Sequence, residues 1–101
     1  MVAYVYLDPA NPPSEIELQW NTNSCGWCTR AFWNNSGTDQ IGWGTVGTNS
    51  LRYIGPLPAT GTWVRLEVPA STLGLEGQSV NGMAFTLYGG RATWDHAGKK
   101  P

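Results

Sequence analysis

Hydrophobic and polar residues alternate along much of this chain, and the alternation has the period of two that belongs to half-buried strands. It is plainest in Glu15-Ile16-Glu17-Leu18-Gln19-Trp20, which sets Ile16, Leu18 and Trp20 on one face and Glu15, Glu17 and Gln19 on the other. Thr62 to Val68 repeats the pattern, with Val64, Leu66 and Val68 as core candidates, until Pro69 stops it. Val2 to Leu7 is β-branched and aromatic, and the prolines of Asp8-Pro9-Ala10-Asn11-Pro12-Pro13 end it. Thr29 to Trp33, Ile41 to Gly44 and Leu51 to Ile54 read as further short strands separated by polar, glycine-rich turns. Met83 to Tyr88 is a nearly continuous apolar run, which predicts a central strand buried on both faces. Gly89-Gly90 turns the chain into a last strand, Arg91 to His96. Only Ala70 to Gly77 suggests a helix, a single turn capped by Ser71. Short strands in this number, with no amphipathic helix, predict an all-β fold, an antiparallel β-sandwich. Its length, 101 residues, suits one domain spanning 1–101.

Composition sharpens this picture. Charged residues make up only 13% of the chain, while glycine, at 13, and proline, at 7, are abundant, as turn-rich β structure requires. The net charge is −1 and no basic cluster precedes Lys99-Lys100, so the footprint of a nucleic-acid or anionic-membrane binder is missing. No apolar run approaches the ~20 residues of a membrane-spanning helix. No basic and apolar leader opens the sequence, so a secretory signal is expected upstream of it.

Cys25 and Cys28 supply half the thiolates of a closed zinc site, and His96 is the only histidine. A redox pair would need a helix N-terminus at the first cysteine, where the sequence instead reads as strand. A short-loop disulfide and two idle thiols in a hairpin region both remain open. Nor does catalysis announce itself. Asp8, Glu15, Glu17, Asp39, Glu67, Glu76 and Asp95 are scattered singly, whereas glycoside cleavage needs two facing carboxyls. No serine stands in a nucleophile-elbow context with His96. The chain is therefore read as a binding module and not an enzyme.

The positive signal is aromatic. Six tryptophans exceed what one small sandwich core requires, so some belong outside. Sugars offer C–H patches that an indole face covers and hydroxyls that planar polar side chains bind. Between Gln19 and Trp43 the two kinds of residue interleave, which makes Gln19, Trp20, Asn21, Trp27, Arg30, Trp33 and Trp43 the candidate carbohydrate-binding face. Trp20 continues the apolar face of Ile16 and Leu18, so core and platform readings both stand for it. Trp27, in a polar loop, is expected to be exposed. Trp63 and Trp94 are expected to be structural. Asp8 and Asp95, at the ends of the first and last strands, are candidates to share a calcium ion.

The runs Thr62 to Pro69, Leu73 to Gly77 and Val80 to Asp95 resemble the closing half of jelly-roll, galactose-binding-like carbohydrate-binding modules. From Tyr4-Val5-Tyr6-Leu7-Asp8-Pro9 onward the chain is also similar to a domain of large bacterial secreted and surface proteins, and to the β-glucan-binding modules of family 81 attached to endoglucanases. The resemblance implies a secreted jelly-roll-like sandwich without catalysis, fused to a glycoside hydrolase. It implies a cellulose-like, xyloglucan or mixed-linkage β-glucan ligand and often a structural calcium. It would carry Trp20, Arg30, Trp33 and Trp43 onto the recognition surface. The competing expectation is an adhesion or spacer module of a large surface protein, whose tryptophans complete a core shared with further strands or a neighbouring domain, an exposed aromatic patch serving protein contacts as well as sugars.

Overall fold

The computed structural model of the chain describes residues 1–98. Among them the backbone forms seven strands and one helical turn: β1 (Val2–Leu7), β2 (Glu15–Thr22), β3 (Gly26–Asn34), β4 (Arg52–Gly55), β5 (Trp63–Glu67), α1 (Ala70–Leu73), β6 (Val80–Tyr88) and β7 (Ala92–Gly98). They make two sheets, one of order β5-β1-β7 and one of order β4-β3-β2-β6. The protein is thus an all-β sandwich.

The alternation read in the sequence builds its interior. Along β1, Ala3, Val5 and Leu7 are buried while Val2, Tyr4 and Tyr6 are half-exposed on the opposite face. Asp8 ends the strand by accepting a hydrogen bond from the Ala10 N–H, a local turn that competes with ladder pairing. Ile16, Leu18 and Trp20 of β2 and Ala31 and Trp33 of β3 face the β1 residues across the sandwich, Leu66 of β5 lies beside Ala3 in the same sheet as β1, and Val68, Leu73 and Leu75 complete the core. Each fully buried large apolar side chain contributes about 1.5–3 kcal/mol by leaving water.

Four expectations are corrected. Every strand pairing is antiparallel except β3 with β4, which is parallel. Residues 35–51 run back past β3 before β4 begins, and a parallel neighbour needs a return connection of such length. Ile41 to Gly44 is not a strand but part of this loop, because Gly42 and Gly44 adopt φ of 91° and 83°, outside strand geometry. The strand buried on both faces is β2 rather than β6: β6 lies at the edge of its sheet, with Phe85 and Tyr88 exposed. Its inward apolar residues close the gap between the sheets, where Phe85 stacks on Trp94 at 4.8 Å. Finally, α1 starts after Pro69 with no side-chain cap, so Ser71 lies inside the turn rather than before it.

Candidate functional site

The register of β2 with β3 decides which tryptophans are available. Ile16 lies opposite Trp33, Leu18 opposite Ala31 and Trp20 opposite Thr29, all on the inward face, while Gln19 opposes Arg30 and Glu17 opposes Phe32 on the outward face. Trp20 is therefore wholly buried and Trp33 is 5% exposed. Both are core residues, which removes them from the expected recognition surface. The indole N–H of Trp20 is buried without a hydrogen-bond partner, a cost that the packing of the ring must offset.

The remaining members of the expected face come together. Gln19, Trp27, Arg30 and Trp43, with Ala84 of β6, line an open depression of about 380 Å³ on the outer surface of the four-stranded sheet. Trp27 reaches this face because the β2–β3 register shifts between Trp20 and Thr22. Its indole rests over Gly82, where a Cβ would come within 3.1 Å of the ring, and Asn21 stands beside the same position. The Gln19 side-chain amide donates to the Trp27 carbonyl at 2.8 Å, which holds the bulge against β2. Trp27 and Trp43 are 44% and 49% exposed.

Two covalent and polar devices fix these rings. Cys25 and Cys28 form a disulfide, and the small ring it closes contains Trp27. Trp43 rides on the 35–51 loop, which Arg30 holds by donating from Nη1 to the Ser50 carbonyl at 3.3 Å. Arg52 adds a fork onto Asn49 Oδ1 and the Gly47 carbonyl. Gly44 lets the loop close: a Cβ there would stand 2.6 Å from the Ser50 carbonyl oxygen.

Beneath the same loop lies a group of residues the sequence reading kept apart. Glu15, Glu17 and Asp39 each bring a carboxylate oxygen to within 4.8 Å of the others. Both glutamates are wholly buried. Glu15 Oε1 accepts from Asn34 Nδ2 and from the Gln40 N–H, both at 2.8 Å, and Asp39 accepts from the N–H groups of Ile41 and Gly42. Burial pushes Glu15 up from the ordinary 4.5 to about 7, helped by its contact with Asp39 and opposed by Gln40 and Asn34. Glu17 also rises to about 7, first through burial and then through the charge of Asp39, against the pull of Arg30. For Asp39, burial acts upward, but the hydrogen bonds from Glu15 and from the backbone of residues 40–42 outweigh it and lower the carboxyl below its ordinary value. The period-two pattern had already put Glu15 and Glu17 on one face. It could not show that a distant loop would cover that face and add Asp39.

The expected calcium pair does not form. Asp8 lies beside Arg91, 4.0 Å from its Nε, whereas Asp95 sits opposite Tyr4. The intervening stretch of β1 separates the two aspartates by roughly 13 Å at strand rise, too far for one ion.

No family model, curated protein or solved structure matches this chain.

Proposed function

We propose that the chain is a non-catalytic carbohydrate-binding module that holds a β-glucan against Trp27 and Trp43. The observation that carries this reading is the pairing of two half-exposed indoles with Gln19 and Arg30 in one open depression on a braced sheet. Rings held by a disulfide and a hydrogen-bonded loop lose little freedom when a ligand covers them. Asn21, Gln19 and Arg30 offer the planar donors and acceptors that hydroxyls need at the rim of such a contact. An open depression suits an extended polymer that continues past the site at both ends. The resemblance of the closing half to jelly-roll carbohydrate-binding modules supports the same reading, as does the disulfide, which belongs to oxidising and hence secreted settings. In that role the module tethers a fused glycoside hydrolase to plant cell wall.

Affinity electrophoresis in gels containing hydroxyethylcellulose, xyloglucan, barley β-glucan or xylan tests the proposal. Retardation by the glucans is the expected result, and unretarded migration in every gel would overturn it. One observation favours an adhesion module instead. On the outer face of the other sheet Tyr6 and the half-exposed Trp63 lie 5.7 Å apart, forming a second aromatic surface. Retardation abolished by Trp63→Ala but kept by Trp43→Ala would move the binding surface to that sheet.

A further inference from the structure

We propose that Glu15, Glu17 and Asp39 form a calcium site that fastens the 35–51 loop to the four-stranded sheet. The grouping alone would be only an acidic cluster, but hydrogen bonding leaves Glu17 unexplained. Both of its carboxylate oxygens are buried and have no hydrogen-bond partner, as is Glu15 Oε2. A proton shared between Glu15 and Asp39 would satisfy Glu15 Oε2. It would leave both Glu17 oxygens without a partner, and a buried polar group in that state costs about 1–3 kcal/mol, more when charged.

Charge points the same way. Among the described residues the cation that acts on Glu17 is Arg30, whose Nη1 is given to the Ser50 carbonyl. When all three acids are ionised a net charge of about −2 is left under the loop, which one divalent cation neutralises. The donors are all hard oxygens, and they lie within 4.8 Å of one another, close enough for a single ion with oxygen ligands to reach all three. Ligands drawn from a strand and a loop suit calcium, which accepts irregular oxygen geometry, better than magnesium, which demands a near-ideal octahedron. Glu15 and Glu17 come from a rigid central strand and Asp39 from the loop, so the ion would cross-link the two. This site is separate from Asp8 and Asp95 and does not depend on the sugar-binding proposal.

The test uses the whole chain, stripped with chelator and dialysed, titrated calorimetrically with calcium chloride and followed by thermal unfolding. One equivalent of calcium should bind, and Tm should rise by roughly 10 °C at a hundredfold excess over Kd. Glu17→Gln, which removes charge from the cluster without removing bulk, should abolish both responses while unfolding in chelator no lower than the parent chain. Absence of heat and of any Tm shift with calcium in the folded parent chain would overturn the proposal. So would a response that survives in both Glu17→Gln and Asp39→Asn. A response to magnesium and none to calcium would overturn the choice of ion.

Discussion

Trp33 and Trp43 carry the same side chain in opposite settings, and their truncation should separate folding from binding. Trp33 fills the core opposite Ile16, so Trp33→Ala should cost about 3–5 kcal/mol of stability. Trp43→Ala removes an exposed ring, so it should leave stability within about 0.5 kcal/mol and weaken β-glucan binding about tenfold or more. Thermal unfolding and calorimetric titration of the two variants check this, and equal loss of Tm and affinity in Trp43→Ala would make that ring structural. The sequence could be read this far only in part. Trp20 follows Ile16 and Leu18 in strict alternation, so its burial was within reach. Thr29-Arg30-Ala31-Phe32-Trp33 offers large apolar groups on both faces, and only the pairing with β2 reveals that Trp33 points inward and Phe32 outward. Trp27 was legible as exposed because no apolar register surrounds it, although the bulge that lays it over Gly82 left no local trace.

At the level of elements, strands with clean alternation and proline stops, β1, β2 and β5, lie close to where the pattern put them. Errors gathered where neighbours rather than local pattern decide the outcome. Met83 to Tyr88 is apolar on both sides yet forms an edge, because its inward residues cover the seam with β7. The 35–51 loop has no periodicity at all, and its path over Glu15 and Glu17 is set by contacts such as that of Gln40 with Glu15. The β2–β3 hairpin tip yields a prediction at this scale. The disulfide closes a very short loop, so replacing both cysteines with serine should cost at most about 2 kcal/mol in the chain-entropy account. It should weaken glucan binding several-fold, because the ring that presents Trp27 becomes free to move. Tm and affinity measured on the double variant compare the two effects, and intact affinity would separate the ring from the site.

For the whole molecule, the buried acids tie stability to pH. In chelator, Glu15 and Glu17 titrate near 7 in the folded chain and near 4.5 when unfolded, with Asp39, Arg30, Asn34 and the Gln40 N–H as the groups acting on them. Between those two values the folded chain holds more protons than the unfolded one, so stability falls as pH rises through the window and levels off above it. Asp39 has the opposite sign, and its contribution is lost only as pH falls below the ordinary aspartate range. Thermal unfolding from pH 4 to 8 should show the decline in chelator and a flatter curve in the Glu15→Gln, Glu17→Gln double variant; parallel curves would assign the decline to other groups. A different vulnerability comes from the sheet order. Among the described residues β6 pairs on one side only, presenting a nine-residue backbone edge whose Met83-Ala84-Phe85-Thr86-Leu87-Tyr88 contains neither charge nor proline. An edge of that kind is a ready template for a strand from another copy. That makes β6 the expected starting point for slow self-association in concentrated solution, even well below the unfolding temperature.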